Sequence, residues 1–141
     1  MNIWALLIGT MLATFAVIRF KRRELENTAW LYPLLLASFP IFYWIFAIYA
    51  SDYAALPGEI AVGLVYFAIA YIACRWRSSG TSIILAIFFI SHAVYDAMHH
   101  AIFVNEGTPV WWPEFCGSAD LVFGFYLLCS ALFAKKFRET F

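Results

Sequence analysis

Three histidines and one aspartate share one face of a long apolar stretch, residues 82–104. They are His92, His99 and His100, which are all the histidines of the chain, together with Asp96. At 100° per residue around a helix, His92, Asp96, His99 and His100 fall at about 0°, 40°, −20° and 80°, a face roughly 100° wide. Imidazole and carboxylate groups bind metal ions and act as general bases. The pattern therefore predicts a metal-binding or catalytic face on this helix.

The elements that carry this face are apolar helices. The chain has 141 residues, of which 65% are hydrophobic and 13% charged, too little polar surface for a soluble domain of this size. Five segments are long enough to cross roughly 30 Å of hydrocarbon. They are residues 3–18, 29–50, 58–74, 82–104 and 118–134. The sequence predicts an all-α integral membrane protein, a single transmembrane domain of five helices over residues 1–141.

The basic residues predict the orientation of these helices. All nine Lys and Arg residues lie in the segments 19–27, 75–81 and 135–141, whereas 51–57 and 105–117 contain none. Because cytoplasmic loops are enriched in Lys and Arg, the N-terminus is expected outside and the C-terminus in the cytoplasm. In a bacterium the chain would lie in the inner membrane with the histidines towards its outer side. The net charge is zero and the basic runs border the helices, so nucleic-acid binding has no support.

Two further candidates, Cys116 and Asp120, lie around the start of the fifth segment. Neither of the other two cysteines lies near the outer side, so Cys116 is expected to be a buried thiol, a metal ligand or an intermolecular bridge. Ser118 can cap the fifth helix with Asp120 in its first turn, where the helix dipole favours a negative charge. The alternative is that Asp120 faces Asp96 and the histidines, which the connection 105–117 permits.

Metal binding requires two to four ligand atoms at about 2.0–2.3 Å from the ion. His92 with Asp96, and Asp96 with His100, have the i, i+4 spacing that puts two ligands on one helix face. The predicted metal ligands are His92, His99, His100, Asp120 and Cys116, with Glu114 as a further possibility. Zinc is the expected ion. The alternatives are a structural Asp–His hydrogen-bond network between helices and a proton or ligand relay.

Residues 89–127, which include HAVYDAMHH, GTP and PEFCGSAD, resemble a bacterial family of small multi-spanning membrane proteins. The family pattern is His-x-x-x-Asp-x-x-His-His, then Gly-x-Pro, a loop with Pro and Phe, and Cys-x-x-x-Asp opening the last helix. The matching positions are His92, Asp96, His99, His100, Pro109, Cys116 and Asp120. Ala119 stands where the family often carries a second cysteine, which disfavours a two-thiolate site. The family has no established activity, so the resemblance groups these residues without implying a reaction.

The leading interpretation is a small metal-dependent membrane hydrolase acting on a lipid or another amphiphile. A bound ion would lower the pKa of its water to about 7, and Asp96 would orient a histidine or act as the base. The alternative is a non-enzymatic accessory subunit of a larger membrane complex, or a protein that binds a pigment, a lipid or a haem, because the many aromatic residues can line an apolar groove. Histidines of one helix cannot both bind one haem, so a haem would require a second chain. A homo-oligomer and a larger membrane complex both stay open as the assembly.

Overall fold

The computed structural model describes residues 1–76 and 78–140. They form five long helices and one short 3₁₀ turn, Leu25–Asn27. The long helices are α1 (Ile3–Arg22), α2 (Leu31–Tyr49), α3 (Leu56–Arg75), α4 (Ser79–Ile102) and α5 (Trp112–Thr140). Each contains a segment long and apolar enough to cross a membrane. The predicted all-α architecture with five such helices is confirmed for the described residues.

The start of α5 differs most from the prediction. The helix begins at Trp112 and not at Ser118, because a proline such as Pro113 is well tolerated in the first turn, where its missing N–H costs no hydrogen bond. Ser118 therefore lies inside α5, and its hydroxyl donates to the Phe115 carbonyl at 3.0 Å. The prediction that Ser118 caps this helix, with Asp120 in the first turn, is wrong. The bounds of the other helices differ from the predicted ones by up to four residues.

Helix α4 contacts three others, because it packs against α5 and also contacts α2 and α3, which pair with each other, while α1 packs against α5. α1 meets it through small or slender side chains at every fourth position: Ala5, Gly9, Ala13 and Val17. A Cβ on Gly9 would lie 2.2 Å from the Phe115 carbonyl oxygen, so the two backbones touch. Such stripes of small residues allow close helix packing in membranes.

The up-and-down order of the helices brings the N-terminal ends of α1, α3 and α5 together with the C-terminal ends of α2 and α4. Two hydrogen bonds connect these ends: the Asn2 N–H donates to Glu114 Oε1 at 3.1 Å, and the Glu106 N–H donates to Asp52 Oδ2 at 3.2 Å. We call this end of the bundle, with the connections 50–55 and 103–111, the site side. Every side chain of the candidate site described below lies towards it.

An aromatic layer fills the middle of the bundle below the site. The Phe39 ring lies 6.0 Å from that of Phe89 and 6.4 Å from that of Phe123. Phe89 is fully buried, and the Phe39 ring also lies 5.9 Å from the His92 ring. The polar groups of the site are therefore bounded below by apolar side chains, which exclude water from that direction.

Candidate functional site

Four buried side chains from α4 and α5 converge near the site side. His92 Nδ1 lies 2.8 Å from Asp120 Oδ2 and 3.5 Å from Asp96 Oδ2. Cys116 Sγ lies 3.9 Å from the same Asp120 oxygen. One potential ligand atom from each residue falls within 4.8 Å of all the others, and none of the four side chains is more than 2% exposed. We call these four residues the α4–α5 cluster.

The cluster arises from two i, i+4 pairs that face each other. His92 and Asp96 lie one turn apart on α4, and Cys116 and Asp120 lie one turn apart on α5, so each pair occupies a single helix face. Below the cluster α4 and α5 approach closely at Gly124, which has no side chain. A Cβ there would lie 2.8 Å from Ile90 Cγ1 and 3.1 Å from the Ala86 carbonyl oxygen. Local helix periodicity and one close approach are sufficient to bring the four groups together.

The donor set suits a metal ion. A tetrahedral ion bound at 2.0–2.3 Å holds its ligand atoms about 3.3–3.7 Å apart, whereas the atoms here lie between 2.8 Å, the His92–Asp120 hydrogen bond, and 4.8 Å from one another, so they would have to shift by up to about 1 Å around an ion. Asp96 Oδ2 and Asp120 Oδ1 are buried and have no hydrogen-bond partner among the described residues. Leaving such atoms unpaired costs about 1–3 kcal/mol each. One nitrogen, two carboxylates and one sulfur form a set that zinc accepts.

Tyr43 supports the cluster from α2. Its hydroxyl donates to Asp96 Oδ1 at 2.7 Å, and the side chain is 1% exposed. Because one oxygen of Asp96 is held by this bond, the other oxygen is directed towards His92. Partners of this kind orient metal ligands in many sites. The sequence provides no signal for this role, since Tyr43 lies in a different helix among many aromatic residues.

A second buried network is centred on Glu59 of α3. Glu59 accepts hydrogen bonds from the Tyr95 hydroxyl at 2.5 Å and the Asn105 amide at 2.9 Å. Its Oε1 also lies 2.7 Å from His99 Nε2. Glu59 is 2% exposed and His99 is fully buried. We call these four residues the Glu59 network. No role was predicted for Glu59, although it is the only acidic residue of the third apolar segment, which is the signal that could have identified it.

The Glu59 network also positions Tyr43. The rings of Tyr43 and His99 stack with centroids 4.1 Å apart and planes 21° apart. The Asn105 amide, which donates to Glu59, also donates to the Tyr43 carbonyl at 3.1 Å. The Glu59 network therefore supports Tyr43, which in turn orients Asp96.

The structure separates the residues that the sequence analysis grouped as metal ligands. His92, Cys116 and Asp120 meet Asp96 in the α4–α5 cluster. His99 instead belongs to the Glu59 network. His100 is exposed, and its ring lies edge-on to that of His99 with centroids 5.7 Å apart, outside the α4–α5 cluster. Cys116 is a buried thiol, as one of the alternatives predicted, but it lies within α5 and not in a loop.

A cavity of about 850 Å³ adjoins the cluster, in the groove that α1 and α4 form on α5. Its polar lining residues are Thr10, Asp96, His100, Glu114 and Ser118, and the rest of its wall is mostly apolar. Gly117 also lines it, and a Cβ there would lie 3.6 Å from Asp96 Oδ2. Because Gly117 has no side chain, the cavity extends to the edge of the cluster. This volume lies within the range of about 300–1,000 Å³ typical of small-ligand sites.

The chain matches no protein-family model, no curated protein and no solved structure. The resemblance of residues 89–127 to a family of small membrane proteins therefore stays a prediction from the sequence motif. The function has to be inferred from the α4–α5 cluster, the Glu59 network and the cavity between the helices.

Proposed function

We propose that the chain is a small integral membrane protein that binds zinc at the α4–α5 cluster and hydrolyses a lipid or a similar amphiphile. The observation that carries the proposal is the convergence of four buried ligand groups beside a largely apolar cavity. His92, Cys116 and Asp120 are the residues that would hold the ion. They lie behind Asp96 as seen from the cavity, since only Asp96 of the four lines it.

Asp96 has the position expected of the residue that contacts both the ion and the substrate. It belongs to the cluster and also lines the cavity. Zinc, when bound, supplies an acidified water at neutral pH. Asp96 would accept a proton from that water while Tyr43 keeps its carboxylate oriented. The apolar wall would hold the tail of the amphiphile, and Gly117 leaves room for the bond to be cleaved to approach Asp96.

The membrane location and orientation are part of the proposal. The site side contains neither Lys nor Arg in the connections 50–55 and 103–111, whereas all nine basic residues belong to the opposite ends of the helices. Of these nine, Arg77 lies outside the described residues, as do the side chains of 135–138. This asymmetry supports the positive-inside orientation in a bacterial inner membrane, which places the site side at the outer face.

The orientation predicts the behaviour of fused reporters. A reporter active only in the cytoplasm should be active when joined after Phe141 and inactive when inserted in 105–111. A reporter active only outside should show the opposite pattern. If the C-terminal fusion were active outside, the site side would face the cytoplasm and the proposed location of the substrate would be incorrect.

The direct test of the proposal combines metal analysis with an esterase assay. Purified protein, saturated with zinc and then freed of excess metal, should retain about one zinc per chain, because His92, Cys116 and Asp120 provide three ligands and leave the fourth position of one ion to water. Hydrolysis of a single-chain ester in mixed micelles should stop on chelation and resume when zinc is restored. Protein that retains no zinc would refute the metal site, and zinc-loaded protein without any hydrolysis would favour a lipid-binding function of the same cavity.

Tyr43→Phe should weaken zinc binding while the bundle stays folded. The variant loses only the hydroxyl that holds Asp96 Oδ1, and loss of such an orienting partner typically costs about 10- to 100-fold in metal affinity or activity. The measurement is competition with a chromogenic chelator. Tyr32→Phe is the matched control, since the Tyr32 hydroxyl is buried without a hydrogen-bond partner in the described part of the chain. Equal affinities of the two variants would show that Tyr43 has no role at the metal site.

A further inference from the structure

The cavity beside the cluster has a polar end and an apolar end. Asp96, His100 and Glu114 line it near the site side, whereas Leu121 and Phe125 line it further along α5. From Pro113 to Phe125 the cavity follows α5 for about 18 Å at 1.5 Å per residue. That length is close to half of the roughly 30 Å hydrocarbon thickness of a bilayer. The shape therefore matches an amphiphile with its headgroup at the site side and its tail within one leaflet.

At the polar end, Glu114 and Asp96 each have one carboxylate oxygen without a hydrogen-bond donor in the described part of the chain. Glu114 Oε1 accepts from the Asn2 N–H at 3.1 Å and lies 3.7 Å from the Met1 amine. Glu114 Oε2 and Asp96 Oδ2 are both buried and unpaired within the described residues. Among the described residues that line the cavity none is Lys or Arg, and the groups there that can carry a positive charge are the Met1 amine and His100. A headgroup that donates hydrogen bonds and carries a positive charge would satisfy both oxygens.

A bound metal ion would not reverse the preference for a positively charged headgroup. Asp96 and Asp120 together offset the charge of a divalent ion. The Met1 amine offsets only the charge of Glu114. An anionic phosphate or sulfate headgroup would therefore meet no net positive charge, and it would place its oxygens against unpaired carboxylates.

From these charges and dimensions, we infer that the cavity takes a single-tailed amphiphile with an ammonium headgroup. The volume of about 850 Å³ suits one ligand with one tail. This inference deepens the proposed function. It rests on that function only where it takes the bound amphiphile to be the substrate. Glu114 and Asp96 select the headgroup, and the cavity wall around Leu121 selects the tail.

The test compares two amphiphiles with the same tail. Hexadecylamine and hexadecyl phosphate are titrated into protein in nanodiscs of zwitterionic lipid, with empty nanodiscs as the blank, and occupancy is read by native mass spectrometry. The amine should bind at least tenfold more tightly than the phosphate. Glu114→Gln should reduce this ratio at least threefold, because it removes the charge beside the headgroup. Glu106→Gln, at an exposed position on the same side, should leave the ratio unchanged.

A second pair of variants tests the cavity itself. Leu121→Trp fills the tail region and should abolish saturable binding of both amphiphiles, whereas Leu132→Trp, at an exposed position further along α5, should bind as the parent does. Equal binding of the amine and the phosphate would overturn the inference about the headgroup. Equal binding by Leu121→Trp and Leu132→Trp would overturn the assignment of the cavity.

Zinc content, measured on the same samples, separates this inference from the proposed function. A clear preference for the amine in protein that binds no zinc would refute the hydrolase and retain the ammonium site. One zinc per chain without a preference for the amine would refute the ammonium site alone.

Discussion

A His92→Ala variant should lose its zinc, whereas His100→Ala should keep it. His92 is the only histidine whose ring reaches Asp96 and Asp120 among the described residues, while His100 is exposed. Loss of an outer partner alone typically costs about 10- to 100-fold in metal affinity, so loss of this ligand should lower the affinity by more than about 100-fold. Chelator competition and elemental analysis measure both variants, and circular dichroism checks that they remain helical.

The pair of variants distinguishes the structure from the motif. The motif treats His92, His99 and His100 alike, whereas the structure places only His92 in the cluster. If His100→Ala lost zinc as His92→Ala did, the α4–α5 cluster would not be the metal site. Should His92→Ala fail to fold, Asp120→Asn provides the second measurement, because it removes a ligand charge without a change in shape.

A Glu59→Ala variant should be strongly destabilised. The substitution removes the acceptor that serves the Tyr95 hydroxyl, the Asn105 amide and His99, and it leaves these groups buried without their partner. Leaving a buried polar group without its partner typically costs about 1–3 kcal/mol, and three groups lose their partner here. The measurement is the free energy of unfolding in mixed micelles, with a thermal unfolding midpoint as a second observable.

Glu106→Ala is the matched control for Glu59→Ala. Glu106 is exposed on the site side, so its replacement should change stability by no more than about 0.5 kcal/mol. A Glu59→Ala protein as stable as Glu106→Ala would mean that the Glu59 network contributes nothing to the fold. In that case the stacking of His99 on Tyr43 would have to be maintained by the apolar core alone.

The sequence predicts the parts of this molecule that depend on local periodicity. Apolar runs of sufficient length indicate five helices, since each run has only one regular conformation that satisfies its backbone in hydrocarbon. The i, i+4 spacing of His92 and Asp96 places both on one face of α4, as the structure confirms. Asp120 was one of two alternatives, and the structure selects the contact with His92 over the helix cap.

The rest of the site depends on contacts between helices, which spacing does not encode. Glu59 and His99 are 40 residues apart, and their contact follows from the packing of α3 on α4. His99 and His100 are neighbours in sequence, but they point about 100° apart around α4. That rotation directs one ring to Glu59 and the other to the edge of the cavity. Cys116 was expected in the connection 105–117, whereas α5 begins at Trp112 and already includes it.

The pairing of acids with their partners across α4 and α5 has a consequence for biogenesis. Each of these helices carries an aspartate, Asp96 or Asp120, that costs about 2.5–3.5 kcal/mol at the centre of a lone helix in the bilayer. In the folded chain Asp120 lies 2.8 Å from His92 of the other helix, so each helix relieves part of the insertion cost of the other. The connection between them, residues 103–111, is short. In the proposed membrane location, insertion of α4 and α5 as one hairpin would therefore be favoured over their separate, sequential insertion.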